Sequence, residues 1–404
     1  MVNQDSRFRK ISVLDLEVGM RVVDTGLSWT EHPFLYSCEG PVTSAAQIEQ
    51  LREQGYRDVF ILDTKRQEPR TGKEPGGETR PDAAEGSGRR PPGTDDYAKA
   101  LSLHDESFGV INSFILAAKL GKPMDRDAPV RLVEGVIDSV TSNPDALVSL
   151  IKLRFNDEYT YTHCINVSVL AVLFGHYMGM RKPELQTLGE AGLFHDLGKV
   201  RIPDGILDKP GRLTPGEFEV VKSHPEEGAA LLEKQDMTSP GVLSIIREHH
   251  EKFNGTGYPN ALSGDRLGRM AQMIALADCY DAMTSKRPYR AAILPNTAMR
   301  IMFAMRNKDF SRELIEPFIK CLGIYPVGSP VRLKNGQVAL VCGSNPRSPL
   351  FPTVKIILDA GMRPRPHKVL DLSSPEAKSL GDGFAIEAPL DMSVLGKDPA
   401  GFLF

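Results

Sequence analysis

The sequence predicts a mainly α chain, in which a helical bundle is preceded by a small α/β unit and followed by a small β appendage. Three observations predict this fold class. Apolar residues recur at three- and four-residue spacing from Tyr97 to about Gly323, as in amphipathic helices. A stretch nearly devoid of apolar side chains, 65–96, precedes the bundle. After the bundle, two short apolar runs flank Asn335-Gly336, which is a strong hairpin signal.

Composition limits the class of protein before any motif is considered. The 404 residues are enough for two or three domains, and 41% hydrophobic with 25% charged residues excludes a wholly disordered or collagen-like chain. A net charge of −3 argues against a nucleic acid polymer or an anionic membrane as the main partner. Five scattered cysteines favour free thiols in a reducing compartment. With no signal-peptide or membrane-spanning run, we expect a soluble cytoplasmic protein without membrane insertion.

The first domain, 1–64, has the pattern of a small α/β unit. The segments 11–16 and 20–23 are expected to form short strands. The segment 44–55 carries helically spaced apolar residues and ends at a glycine, which predicts a helix, and 57–63 is expected to be a buried strand. No cluster of histidine, cysteine or carboxylate side chains indicates a reactive site in this unit.

Four further boundaries follow from changes in composition. Because 65–96 cannot bury enough apolar surface to offset its ordering entropy, we expect a disordered linker there. Connecting helices are expected over 97–139 and the main helical domain over 140–325. The connecting helices could transmit a signal or form a homodimer seam, and ordinary core packing explains them equally well. The tail, 326–404, is expected to contain the β hairpin, and its segment PTVKIIL could add a third strand.

Histidines and aspartates are concentrated within the helical domain. Six of the nine histidines lie between 163 and 250. An aspartate on the apolar face of a buried helix is costly unless it is paired or binds a cation. Imidazole with carboxylate is a ligand set for Zn, Mn, Fe, Co or Ni rather than for Ca, and two such ions can cleave phosphate esters. The residues concerned are His163, His195, Asp196, His224, His249, His250, Asp278 and Asp281.

Single histidines carry much less information than this ordered set. His32, His104, His176 and His367, taken one at a time, are expected to be ordinary packed or surface side chains. A lone His-Asp dipeptide would be equally weak evidence. The order His, His-Asp, His, His-His, Asp within 163–278 is a far more specific signal for a metal centre.

Four longer motifs give the helical domain a family resemblance. They are HDLGK at 195–199, HPEEG at 224–228, HHEKFNGTGYP at 249–259 and ALADCYDAMTSKRPYR at 275–290. With these motifs, residues 140–325 resemble the HD-GYP family, helical HD-type metallophosphodiesterases that act on cyclic di-GMP. The segment ahead of the linker resembles, more loosely, a small domain often found before HD-GYP domains.

The resemblance implies a centre of two divalent ions, most often iron or manganese. Ligand chemistry also admits zinc, nickel or cobalt. One ion would be bound by His163, His195, Asp196 and Asp278. Asp196 would bridge to the other ion, which His224, His249 and His250 would complete. A hydroxide bridging the ions would attack phosphorus, which makes Asp196 catalytic as well as a ligand.

Further residues are implied to bind the substrate. Lys199 would lie beside a substrate phosphate and assist catalysis, and Arg287 and Arg290 match phosphate-binding cations of the family. The family often has Lys where Arg290 stands, which keeps the charge and changes the geometry. Gly257 and Tyr258 of the GYP triplet would contact substrate, and Tyr258 could equally contact other proteins.

One departure from the family pattern bears on the number of metals. Some members carry a Glu four residues before the first histidine, where it supports a third metal, and here that position is Tyr159. Glu158 and Asp157 are at other offsets and would point elsewhere. We therefore expect two metal ions rather than three.

Three functions are compatible with the residues and the resemblance. The first is hydrolysis of cyclic di-GMP to linear pGpG, and in a second step to GMP, which would lower a bacterial second messenger. The second is a non-catalytic cyclic dinucleotide receptor or a module that binds signalling proteins. The third is a phosphohydrolase for another nucleotide. The presence of every candidate ligand, with Lys199 and both arginines, favours the enzyme.

Overall fold

A computed structural model of the chain describes residues 8–22, 35–36, 40–53, 58–62, 92–153, 159–207, 209, 213–285, 292–345, 348, 350–395 and 402. The elements form an N-terminal sheet unit, a helical body and a C-terminal sheet. This order confirms the mainly α fold class. No helix within the described ranges has both the length and the apolar character that a membrane crossing requires.

The N-terminal unit is a small sheet with one helix. Strands β1, β5, β2 and β4 pair in that order, and β3 pairs in parallel with β5. This unit has its own small apolar core, separate from that of the helical body. Its elements are β1 Phe8–Ser12, β2 Arg21–Val22, β3 Leu35–Tyr36, β4 Gly40–Pro41, α1 Ala45–Glu53 and β5 Asp58–Leu62.

One prediction in this unit is wrong in its extent. The segment 11–16 was expected to be a strand, but β1 ends at Ser12 and a short 3₁₀ turn, Val13–Asp15, follows. The reason is local, because the Ser12 hydroxyl accepts the backbone N–H of Leu14 at 3.2 Å and caps the turn.

The helical body, which the apolar spacing predicts, contains twelve helices in the described part of the chain. Its first helix begins before the expected linker ends, because Gly93 donates its N–H to the Asp96 carboxylate and so caps the helix at its start. Most of the expected linker, 65–91, lies outside the described residues. The helices are α2 Thr94–Leu120, α3 Asp127–Ser142, α4 Pro144–Leu153, α5 Tyr159–Tyr177, α6 Lys182–Phe194, α7 Asp204–Leu207, α8 Pro215–Val221, α9 His224–Lys234, α10 Pro240–Glu248, α11 Arg269–Thr284, α12 Pro295–Ala304 and α13 Arg312–Leu322.

Helix α5 is the central element of this body. Its residues 163–175 are all buried, and it packs against α6 and α11. A helix that is apolar on every face must be enclosed by other elements. The polar side chains His163, Asn166 and Ser168 are buried with it, so each of them needs a partner inside the protein.

Two glycines bring the turn after α6 into contact with α9. A Cβ at Gly198 would overlap the carbonyl oxygen of His224 and would lie 2.5 Å from the amide nitrogen of Gly228. Backbone atoms cannot give way as a flexible side chain can. The absence of a side chain at Gly198 therefore allows the 3₁₀ turn Leu197–Arg201 to lie directly against the start of α9.

The C-terminal region is a five-stranded antiparallel sheet in the order β10-β6-β7-β8-β9. The predicted hairpin at Asn335-Gly336 and the strand PTVKIIL are both confirmed, as the β6–β7 connection and as β8. The two edge strands β9 and β10 are not evident from the sequence, because their prolines interrupt the strand pattern. The elements are β6 Pro330–Leu333, β7 Val338–Gly343, β8 Thr353–Leu358, β9 Pro364–Asp371, α14 Pro375–Ser379 and β10 Ile386–Pro389.

A buried carboxylate attaches this sheet to the helical body. Asp145 on α4 is 3% exposed and accepts both the backbone N–H and the hydroxyl of Ser344, at 3.1 and 3.2 Å. Strands β7 and β8 are buried along nearly their whole length and belong to the same apolar core as the helices. The sheet is therefore packed into the body rather than appended to it.

The contact at Gly198 can be tested by adding a single methyl group. We expect Gly198→Ala to lower the free energy of unfolding by about 1–3 kcal/mol, because the backbone of α9 must move to admit the Cβ. Gly205→Ala is the matched control, since a Cβ there meets no atom within 4 Å. Denaturant unfolding followed by circular dichroism measures both variants, and equal stability of the two would contradict the close approach.

Candidate metal centre

Five segments of the helical body bring the seven predicted ligands together. Each ligand lies within a helix or at a helix end, where the backbone is well defined. His163 is on α5, His195 and Asp196 follow α6, His224 begins α9, His249 and His250 follow α10, and Asp278 is on α11.

The carboxylate of Asp196 lies at the middle of the cluster. Its Oδ2 is 3.4 Å from Nε2 of His195 and 3.8 Å from Nε2 of His163. Its Oδ1 faces the other way and is 3.4 Å from Nε2 of His224. The two oxygens of one carboxylate therefore face two different sets of imidazoles, which is the arrangement that a bridging ligand requires.

The ligand atoms fall into two groups that share Asp196. In each group the candidate atoms all lie within 4.8 Å of one another. Asp278 lies beside one of the groups, with its Oδ1 3.1 Å from Nε2 of His163. The groups are Asp196, His224, His249 and His250, and His163, His195 and Asp196. This division is the one that the family resemblance implies.

Three of the histidines are oriented by the same kind of hydrogen bond. The Nδ1 atoms of His195, His224 and His249 each lie within hydrogen-bond distance of the carbonyl oxygen three residues earlier. A carbonyl can only accept, so Nδ1 carries the proton and the lone pair of Nε2 faces the cluster. The acceptors are Gly192, Val221 and Ile246, at 2.8, 2.7 and 2.6 Å.

One structural observation, independent of the sequence motifs, indicates that the cluster can bind a metal ion. Nε2 of His195 is fully buried and has no hydrogen-bond partner in the part of the chain that the structure describes. A buried nitrogen without a partner is costly in a folded protein. A cation bound at that lone pair would remove the cost, and imidazole with carboxylate suits a divalent transition metal.

His163 is oriented by a carboxylate instead of a carbonyl. Its Nδ1 is 2.8 Å from Oδ2 of Asp281, whose other oxygen accepts hydrogen bonds from Asn166 at 2.8 Å and Ser285 at 2.9 Å. Carboxylates in this outer position fix the tautomer and raise the basicity of a histidine ligand. The sequence assigns no role to Asp281 and gives no signal for Asn166, although each lies three residues after a predicted ligand.

Burial sets the charge of the histidines beside Asp196. It lowers the pKa of His224 and His249, and it lowers the pKa of His250 to about 4. All three imidazoles are therefore neutral at physiological pH, which is the form that binds a metal.

Around the two aspartates, neighbouring charges favour the ionised side chains. Burial raises the pKa of Asp196, but Lys199 and His195 outweigh it and hold that pKa well below its usual range. Burial also raises the pKa of Asp278, but the hydrogen bond to His163 and the charge of that histidine outweigh it and hold this pKa below its usual range. Burial lowers the pKa of His163, whereas Asp278 and Asp281 outweigh this and raise it to about 9. A cation at Nε2 of His163 would thus replace a proton.

Lys199 lies at the exposed side of the cluster. Its Nζ is 2.6 Å from Oδ2 of Asp196, and its side chain is one-third exposed. It stands on the 3₁₀ turn Leu197–Arg201 rather than on a continuing α-helix. Its placement beside a substrate phosphate stays a prediction.

Other predicted site residues cannot be placed. Arg287, Arg290, Asp157 and Glu158 lie outside the described residues. Tyr159 is the first residue of α5, and its side chain is outside the described part. Two metal ions rather than three, as the tyrosine at position 159 indicates, therefore stays a prediction from the sequence.

The GYP triplet lies directly against the cluster. The ring of Tyr258 packs on that of His250, with centroids 4.8 Å apart and planes inclined by 34°. Gly257 approaches the backbone of residues 251–252 so closely that a Cβ would lie 2.5 Å from Cα of Glu251. Close packing therefore requires glycine at 257, whatever this residue also contributes to substrate binding.

The loop that carries the triplet is held by buried and charged contacts. The carboxylate of Glu251, 3% exposed, accepts the backbone N–H groups of Asn260 at 2.6 Å and Leu262 at 3.0 Å. Lys252 forms an ion pair with Asp309 at 3.0 Å. The loop from 251 to 262 is thereby closed on itself and tied to the segment before α13, which fixes Tyr258 beside His250.

Comparison with known families and proteins agrees with this geometry. The HD domain family matches residues 137–314, and a domain of unknown function, DUF3391, matches residues 8–128. Cyclic di-GMP phosphodiesterase PA4108 of Pseudomonas aeruginosa is 35% identical over 370 residues, which cover 90% of this chain and 89% of that protein.

Two other relatives match the helical domain alone. Cyclic di-GMP phosphodiesterase response regulator RpfG of Xanthomonas campestris is 33% identical, over 42% of this chain and 45% of its own length. 3'3'-cGAMP-specific phosphodiesterase 3 of Vibrio cholerae is 33% identical, over 42% of this chain and 36% of its own. The chain thus spans less than half of these two proteins.

The match to the Pseudomonas protein covers both the N-terminal unit and the helical body. In the helical body, histidines and Asp196 of the quoted motifs lie together in the two ligand groups. On this evidence the chain belongs to the HD-GYP family.

Proposed function

We propose that this chain is a metal-dependent phosphodiesterase that hydrolyses cyclic di-GMP. The observation that carries the proposal is the pair of ligand groups sharing one carboxylate, Asp196. The names of two relatives support the choice of cyclic di-GMP as substrate. A set of oriented ligands around a shared carboxylate favours metal-dependent hydrolysis over a receptor without activity.

The residues of the chain provide binding, orientation and charge. Divalent metal ions, when bound, supply positive charge that makes water more acidic and stabilises negative charge on a phosphate. The carbonyls behind His195, His224 and His249, and Asp281 behind His163, keep the Nε2 atoms of these four histidines directed inward. Lys199 holds an ammonium group at the exposed side of Asp196, where a phosphate oxygen of the substrate can reach it.

The extent of the reaction and the metals are part of the same proposal. Hydrolysis of one phosphodiester bond gives linear pGpG, and hydrolysis of the second gives GMP. Two metal ions, iron or manganese, are proposed from the two groups that share Asp196 and from the family resemblance.

The activity is tested by following products chromatographically. Protein purified without oxygen and loaded with Fe or Mn should convert cyclic di-GMP to pGpG or GMP, and Asp196→Ala should abolish this because both ligand groups lose their shared member. Asp138→Ala is the matched control, since that carboxylate is 72% exposed.

The same assay separates the alternatives. Absence of product from metal-loaded wild type would overturn the proposed hydrolysis and favour a receptor. Faster turnover of 3'3'-cGAMP than of cyclic di-GMP would keep the phosphodiesterase and change its substrate.

Metal content tests the number of ions. Elemental analysis of the anaerobically loaded protein should give two ions per chain, and Asp196→Ala should retain fewer than wild type because each group loses a ligand. Three tightly bound ions per chain would contradict the two-metal proposal.

The role of Asp281 can be tested without an activity measurement. Asp281→Asn should weaken metal affinity by about 10–100-fold, because an amide cannot accept all three hydrogen bonds that the carboxylate accepts. Asp265→Asn, at an exposed position, is the control. Competition with a chelator measures the affinity, and equal metal retention by both variants would show that Asp281 does not orient His163.

A further inference from the structure

A large aromatic side chain that is not a candidate metal ligand is exposed beside the ligand cluster. Phe218, on the short helix α8, is 44% exposed. Its ring lies edge-on to Tyr258, with centroids 6.4 Å apart and planes inclined by 81°. Burying such a ring is favourable, so leaving it open next to a reactive centre calls for a reason.

A lysine holds the two rings together. Nζ of Lys222 is 5.0 Å from the centroid of Phe218 and 5.7 Å from that of Tyr258, within the range of a cation–π contact with each. The same ammonium is 2.7 Å from a carboxylate oxygen of Glu219. One ammonium group thus contacts both rings and links Phe218 to Tyr258.

The ring pair is continuous with the ligand cluster. Tyr258 is in ring contact with His250, and helix α8 leads through a short turn to His224. A substrate whose phosphate lies at the cluster therefore has these rings as its neighbours. In a nucleotide, the group one ribose away from the phosphate is the base.

We propose that Phe218, together with Tyr258, forms the subsite on which a guanine base of the substrate stacks. Every nucleobase presents an aromatic face, and stacking on a protein ring is a recurrent way to bind it. Phe218 is then a positioning residue that sets affinity for nucleotides over other phosphodiesters, and Lys222 positions the rings. This inference rests on the proposed function, because it takes cyclic di-GMP as the substrate.

Steady-state kinetics provide the first test. Phe218→Ala should raise KM for cyclic di-GMP by about 5–100-fold, the range expected for the loss of one stacked base, and should change kcat by less than about twofold. Phe218→Trp should restore a KM close to that of wild type. Val220→Ala is the control, because Val220 is 41% exposed on the same helix.

A second test does not depend on turnover. Trp29 is the only tryptophan of the chain, so Phe218→Trp in a Trp29→Phe background places a single fluorophore at the subsite. Saturable quenching by GMP, and none by ribose 5-phosphate at the same concentrations, is the expected result. Ribose 5-phosphate has the sugar and the phosphate but lacks the base.

The two tests separate failure of the inference from failure of the proposed function. Turnover of cyclic di-GMP with an unchanged KM in Phe218→Ala, and no quenching by GMP, would overturn the stacking subsite and leave the enzyme. Quenching by GMP without any turnover would support the subsite and overturn the hydrolysis. Equal quenching by GMP and ribose 5-phosphate would also overturn the subsite.

Discussion

The carboxylate of Asp196 is 5% exposed and lies among three imidazoles and one ammonium. An anion removed from water costs several kcal/mol unless positive charge or hydrogen-bond donors surround it. The helices α5, α6 and α9 with their flanking turns meet at this point, and each contributes a group that faces the carboxylate. These elements can meet because Gly198 allows its turn to lie against the backbone of α9. His163 reaches Asp196 because α5 is buried at the centre of the helical body.

Much of the centre could be predicted from the sequence because its ligands lie in short local motifs. His195 with Asp196, and His249 with His250, are adjacent in the chain, and the spacing of helical apolar residues places the rest on helices. The contact of His163 with Asp281 joins residues 118 apart, and no local pattern reveals such a pair. Phe218 has no local signal either, because one exposed aromatic residue on a short helix follows no period. The edge strands β9 and β10 were missed because their prolines break the strand pattern.

The GTGYP segment has a structural role in addition to its place beside the ligand cluster. Gly257 allows the loop to touch its own backbone at residues 251–252, and Glu251 closes it by accepting two backbone N–H groups. The N–H groups of Phe253 and Asn254 donate to the carbonyls of residues 309 and 308. A loop held in this way presents Tyr258 at a fixed angle, so its ring can act as a rigid wall of the site.

The carbonyls that orient His195, His224 and His249 belong to the C-terminal ends of α6, α8 and α10. The peptide dipoles of a helix place partial negative charge, equivalent to roughly half an elementary charge, at its C-terminus. Three such ends meet around the cluster, and their potential adds to that of Asp196 and Asp278 without depending on any side chain or on pH. That potential attracts cations and repels a phosphodiester. Divalent ions held by these ligands would offset that potential, and the site would then attract the anionic substrate that it otherwise repels.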